Sequence, residues 1–245
     1  MSRFEALLAA AVVATLAACG GSSKPGTVSN GGGGAAPAAT IEPLERTVPA
    51  AEDTPEALVR RPRVTIVGNP TASAAINAAL GTPATAAELD SQGEVGIDYT
   101  VGHNADGLLD VTIVHETLGA YADSYGEHFL FDTTTGARLT AAELFRADAL
   151  PKLAATLDAR LQAELAAART DRTDCVDADA DPFQGEFTVD RLQEVGVGAT
   201  GVVFDYDYDF PHAIQACEPV GTFTFSLDEL ADYLTPTSPL RRIAR

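Results

Sequence analysis

The sequence predicts an α+β fold: an antiparallel sheet built as a hairpin meander, packed helices, and a C-terminal strand-rich part closed by a short helix. Three observations carry this. Residues 95–133 alternate with period two between turn signals. Leu150, Leu153, Leu157, Leu161 and Leu165 recur at helical spacing. Short strand-like runs then return near Phe187–Val195, Gly201–Tyr208 and Thr222–Phe225. Strands, then a helix, then strands with hairpin connections speak against a doubly wound sheet.

The first element is an export signal. Ala6 to Ala18 is an apolar run of thirteen after Arg3, the length of a signal h-region and too short to span a bilayer. It ends in Leu16-Ala17-Ala18-Cys19, which resembles a lipobox, followed by Gly-Gly-Ser-Ser. Residues 1–18 therefore read as a lipoprotein signal peptide and Cys19 as the lipidated N-terminus. Residues 19–58, rich in Gly, Pro and Ala, read as a flexible tether with a reach of about 35 Å. Residues 59–245 read as one domain in two halves, about 59–138 and 139–236.

Within the domain, Arg63-Val-Thr-Ile-Val67 reads as a strand, and Asn69-Pro70 opens a short helix through Ile76-Asn77 to Leu80. Val95, Ile97, Tyr99, Val101 and His103 then share one strand face, and Leu109, Val111, Ile113 and His115 are in phase on the next strand. A three-residue turn, Ala105-Asp106-Gly107, pairs Asn104 with Leu108, Val101 with Val111 and Tyr99 with Ile113. Glu127 to Asp132 supplies a third strand, with Thr135-Gly136 as the exit turn. Thr140 and Glu143 stand at capping-box spacing, as do Ser226 and Glu229 at the final helix.

The 245 residues carry a formal charge of −19, which disfavours nucleic acid and anionic surfaces as partners. Twelve acidic residues against Arg172 and Arg191 lie between Asp171 and Glu218. Such a stretch is either a solvated face or a docking face for a basic partner or a divalent cation. With Cys19 lipidated, Cys175 and Cys217 remain as an even pair in an oxidising compartment and are expected to be bonded.

No nucleophile–base arrangement, phosphate loop, C-x-x-C or H-E-x-x-H occurs. The hairpin register separates His103 from His115 by about 20 Å, too far to share a zinc ion. Asp177, Asp179 and Asp181 match the alternating donors of a calcium loop, but Pro182 replaces the turn glycine and Thr188 the bidentate glutamate. Calcium is thus a weak metal candidate, and no other cofactor is expected. Asp205, Asp207 and Asp209 alternate with Phe204, Tyr206, Tyr208 and Phe210, as in a strand with an aromatic inner face and an acidic outer one. Asp205, Tyr206, Asp207, Tyr208, Asp209 and His212 are the candidate ligand-binding residues.

The order of these pieces resembles a known family. The Ile76-Asn77 helix, the Asn-Ala-Asp-Gly hairpin, and Phe129-Leu-Phe131-Asp132-Thr-Thr-Thr-Gly136 running into Glu143-Leu144-Phe145 carry the resemblance. So do Tyr206-Asp-Tyr208, Gly221-Thr-Phe-Thr-Phe225 and Asp228-Glu229-Leu230. Together, over about residues 60–236, they look like the RsiV-like extracytoplasmic domain. That domain occurs in the RsiV anti-sigma factor, beside some peptidoglycan deacetylases and in lone lipoproteins. The resemblance implies an α+β fold and a ligand-sensing role, the ligand of RsiV being lysozyme. On this reading the chain is expected to lack the sigma-binding part, the membrane span and the deacetylase domain. The expectation is a non-enzymatic, lipid-anchored envelope domain that binds a basic extracellular protein such as lysozyme, or peptidoglycan. The alternative is a peptidoglycan-modifying enzyme or its accessory module.

Overall fold

Alternation along residues 94–132 produces three antiparallel strands: β3, Glu94–Ala105; β4, Leu108–Leu118; and β5, Ala122–Asp132. Leu109, Val111 and Ile113 are fully buried on the face that covers helix α1, Pro70–Leu80, with its buried Ile76 and Leu80. Val101 pairs with Val111 and Tyr99 with Ile113, as the periodicity requires. The turn is shorter than the expected three residues. Ala105 pairs with Leu108, and Asp106 and Gly107 alone make the corner, with φ of 54° and 78°. Two consecutive positive φ angles are the signature of a type I′ hairpin, which suits the twist of the strands. An irregularity between Val101 and His103 takes up the extra residue and preserves the core register.

The chain is described by a computed structural model over residues 38–50, 55–82, 89, 94–118, 122–175, 181–198, 200–208 and 210–243, without the side chains of 212 and 213. Cys19 and the export signal lie outside the described residues. So do Asp177, Asp179 and Asp209.

Order begins earlier than the composition suggested. Inside the stretch read as tether, β1, Thr40–Val48, pairs antiparallel with β2, Ala57–Thr65, through nine residue pairs. Pro43 is tolerated because β1 is an edge strand with no partner strand on its outer side among the described residues. Its order comes from the distant partner, so local composition does not reveal it. β2 in turn runs parallel to β3 at Leu58 and Val59, completing a mixed sheet in the order β1-β2-β3-β4-β5. Where β2 outruns β3, α1 supplies the missing hydrogen bonds. Asn77 Oδ1 accepts from Val64 N (2.8 Å), Asn77 Nδ2 donates to Val64 O (2.7 Å), and Ser73 Oγ accepts from Ile66 N (2.8 Å). The motif asparagine of the helix therefore acts as a strand partner.

The second half packs on the other face of this sheet, at its hairpin end. Short α2, Ala141–Leu144, has the Glu143 carboxylate accepting from Thr140 N at 2.6 Å. Helix α3, Leu150–Asp171, buries Leu153, Leu157, Leu161 and Leu165 as the spacing predicts. A three-stranded antiparallel sheet follows: β6, Val195–Gly198; β7, Gly201–Asp205; and β8, Thr222–Phe225. Helix α4, Leu227–Leu230, starts at the capping box of Ser226 and Glu229. The strand expected near Phe187–Val195 is mostly a 3-10 turn, Val189–Gln193. Phe187 and Leu192 still enter the core, so the apolar spacing reports burial but not strand geometry. The strand expected over Gly201–Tyr208 stops at Asp205, although Tyr206 N still donates to Gly221 O. Residues 35–245 form one compact unit.

Arg242 ties the C-terminus to the hairpin end of the first sheet. Its guanidinium meets buried Asp132 at 2.5 Å and donates to Gly107 O at 3.2 Å. Burial pushes the Asp132 carboxyl upward, but hydrogen bonds from Arg242 and Thr134 more than offset this and leave it below its ordinary value. A lowered folded value means stability present above the unfolded carboxylate range and lost as pH falls through the lowered one. Arg242→Ala is expected to cost about 1–2 kcal/mol near neutrality and less in acid, measured by urea unfolding across that range. An equal cost at all pH values would contradict the pairing.

Candidate functional site

The end of the sheet away from the hairpin turn leaves part of its second face uncovered, and a cleft of about 690 Å³ opens there. One wall is β5, through Asp123, Ser124, Tyr125 and Gly126; Thr112 and His128 line its base. The other wall comes from the C-terminal half: Glu194, Asp205, Tyr206, Asp207 and Phe210, then Gln215 and Glu218. Five carboxylates from four separated segments thus face one concavity.

Local structure explains each placement. In β7 and its continuation the alternation holds among the described residues: Phe204, Tyr206, Tyr208 and Phe210 are buried, while Asp205 and Asp207 are exposed. Asp205 accepts from Thr222 Oγ1 of β8 at 2.9 Å. Gln215 belongs to a 3-10 turn, His212–Cys217, which Glu218 follows. The Cys175–Cys217 disulfide, Cα–Cα 6.1 Å, fastens that turn to the end of α3. Arg172 Nη1 donates to Glu218 O at 2.7 Å, and Gln215 Nε2 donates to Asp123 Oδ1 at 3.2 Å, across the cleft.

At the base stands an array that sequence reading missed. Asp110, 2% exposed, accepts from His128 Nε2 at 3.0 Å and from Val197 N of β6 at 2.6 Å. His128 Nδ1 lies 3.2 Å from Thr112 Oγ1. The array joins the two sheets. A Cβ on Gly196 would sit 2.6 Å from His128 Cε1 and 2.9 Å from Asp110 Oδ2, so β6 can approach only with glycine there. Burial pushes His128 toward its neutral form. The hydrogen bond and charge of Asp110, with the charges of Asp205 and Glu194, outweigh that and hold the imidazole above its ordinary value.

The Thr112–His128–Asp110 order has the connectivity of an acyl-transfer triad but not its surroundings. Thr112 sits mid-strand in β4, paired on both sides, so the neighbouring backbone N–H groups serve the ladders. A tetrahedral oxyanion needs donors aimed at it, whereas here it would face carboxylates. The array is better suited to holding the base of the cleft in place.

Of the sequence candidates, Asp205, Tyr206 and Asp207 line the cleft. Tyr208 does not. Its hydroxyl donates to Glu164 Oε2 of α3 at 3.0 Å, and burial with that bond pushes its ionisation well up. Tyr208 is a structural anchor because the aromatic side of the alternation points into the core. Asp209 and the side chain of His212 lie outside the described residues. Asp181 pairs with Arg169 at 2.6 Å and accepts from Phe183 N, with Asp177 and Asp179 outside the described residues. Among the described residues, no group of three His, Cys, Asp or Glu side chains is placed to hold a metal ion. Nor is any helix among them long and apolar enough to cross a membrane. Asp110 and His128 carried one weak signal: polar residues inside strands otherwise reading as core.

No family model matches the sequence, and no curated protein matches it. A member of the DUF3298 family from Bacteroides fragilis matches in structure with a TM-score of 0.55 at 13% identity, over 84% of this chain and 96% of its own. A DUF3298 family protein from Pseudomonas aeruginosa is also similar, with a TM-score of 0.46 at 19% identity over 83% and 96%. The two-sheet α+β architecture of this chain is thus the fold of the Bacteroides fragilis DUF3298 protein.

Proposed function

We propose that this chain is an extracytoplasmic, lipid-anchored domain of the RsiV-like kind that binds a cationic ligand in the acidic cleft and performs no chemistry of its own. The carrying observation is the convergence of Asp123, Glu194, Asp205, Asp207 and Glu218 on one concavity. Clustered carboxylates focus a negative field in a low-dielectric groove and steer basic partners toward it. The disulfide favours an oxidising compartment, and Cys19 is the proposed anchor. A lysozyme is the sharpest candidate ligand, because the RsiV resemblance and the charge agree on it.

The second reading, an enzyme or accessory module acting on peptidoglycan, draws on the Thr112–His128–Asp110 array; the missing oxyanion donors weigh against it. Residues 35–245, titrated with lysozyme and with peptidoglycan at low and moderate salt, separate the two. Lysozyme should bind, more weakly as salt rises. Combining Glu194→Gln, Asp205→Asn and Asp207→Asn should weaken it about tenfold, at roughly 0.5 kcal/mol per exposed charge pair. No affinity for basic proteins would end the proposal, and muropeptide turnover would favour the second reading.

A further inference from the structure

One wall of the cleft is a sheet edge. β5 is the last strand of its sheet, and its register with β4 runs without a bulge from Ala122 to Asp132. Among the described residues, backbone hydrogen bonds reach the outer edge of β5 at its buried end: Leu139 N donates to Leu130 O, and Asp132 N donates to Ala137 O. These bonds fix the phase of the strand. Leu130 and Asp132 turn their backbone groups away from β4, so in an unbroken ladder Gly126 and Ser124 do as well. Ser124 N is taken by the Asp123 side chain at 2.7 Å. The N–H and C=O of Gly126 and the C=O of Ser124 make no hydrogen bond among the described residues.

The two outer edges are treated differently. β1, the opposite edge, carries Pro43, which blocks pairing. The open part of β5, Ala-Asp-Ser-Tyr-Gly-Glu over residues 122–127, has no proline, no lysine and no bulge, and all six residues are exposed. At about 3.3 Å per residue this stretch accepts five or six residues of an extended chain. Gly126 carries no side chain to obstruct approach. Across the groove stand Asp205 and Glu194, both exposed. On the other face of β5 is Tyr125, 49% exposed, its ring stacked on His115.

We infer that the cleft takes its ligand as an extended, lysine- or arginine-rich polypeptide segment that adds to the β5 edge as a sixth strand. This rests on the cationic-ligand reading and makes it specific. Backbone pairing at Ser124 and Gly126 supplies register. Alternate side chains of the segment project over the groove toward Asp205 and Glu194, while the others lie along Tyr125. Selectivity for alternating basic residues follows from the period of two.

The test uses residues 35–245 and a synthetic peptide of alternating lysine and threonine. Two further peptides carry backbone N-methyl groups, one on the amides of the lysines and one on those of the threonines. Only one set of amides faces β5, so one methylated peptide should bind about tenfold more weakly while the other matches the parent. Hydrogen exchange at the Gly126 amide should slow when the parent binds. Gly126→Pro, which removes the outward N–H, should reproduce the loss if its melting temperature shows an intact fold. Equal binding by all three peptides without protection of Gly126 overturns strand addition and leaves the cleft reading standing. Binding of lysozyme but not of the parent peptide does the same. If neither lysozyme nor peptide binds, the cleft reading itself falls.

Discussion

Replacing Asp110 with alanine should destabilise the protein by about 3–5 kcal/mol, the usual cost of removing one partner from a buried charged pair. The carboxylate is buried between the two sheets, and its Oδ2 receives both His128 Nε2 and Val197 N. Alanine leaves two donors without an acceptor and a void beside Gly102 and Gly196, whose close approach to Asp110 shows how tightly the site is filled. The folded imidazole of His128 is held above its ordinary value, so the pair's contribution is full below the unfolded histidine value. It is lost as pH rises through the raised folded one. Asp110→Asn keeps an acceptor for Val197 N and removes the charge. It should cost less than alanine and flatten the dependence of stability on pH across that window. Chemical unfolding of the three proteins from mildly acid to mildly alkaline pH measures both effects. A cost below about 1 kcal/mol for alanine would mean that the sheets are not joined here.

The second large effect is expected at the disulfide. Cys175 and Cys217 are 42 residues apart, and chain-entropy arguments assign such a loop about 4 kcal/mol. The bond also has a local consequence. It anchors the turn that presents Gln215 and leads to Glu218, so its loss should loosen one wall of the cleft as well as lower global stability. Cys175→Ala with Cys217→Ala should therefore lower the urea midpoint and weaken a cationic ligand even where the protein is still folded. A double variant with an unchanged midpoint would show that the packing of α3 holds that turn without the bond. Unchanged affinity in a destabilised variant would remove Gln215 and Glu218 from the binding surface.

Short-range chemistry was legible. Asp106-Gly107 sits at the hairpin corner because few other pairs tolerate two positive φ angles, although the turn proved one residue shorter than the apolar register implied. Thr140-Glu143 and Ser226-Glu229 start helices, the leucine spacing set the buried face of α3, and two leftover cysteines found one another. The acidic–aromatic alternation correctly put Asp205 and Asp207 outside, and it overstated Tyr208, whose partner Glu164 lies far away in sequence.

What the sequence by itself determined is therefore the class of fold, most element positions, the cysteine pairing and the excess of negative charge. All of these follow from periodicity, caps and composition, which act over a few residues or over the whole chain. Only the tertiary structure decided that β1 is a strand, that Asp110 and His128 join the sheets, and that Asp123 faces Glu194, Asp205 and Glu218 across one groove. Those facts depend on groups brought together from distant segments by packing. A pattern along the chain records what each segment prefers, not which other segment it will meet.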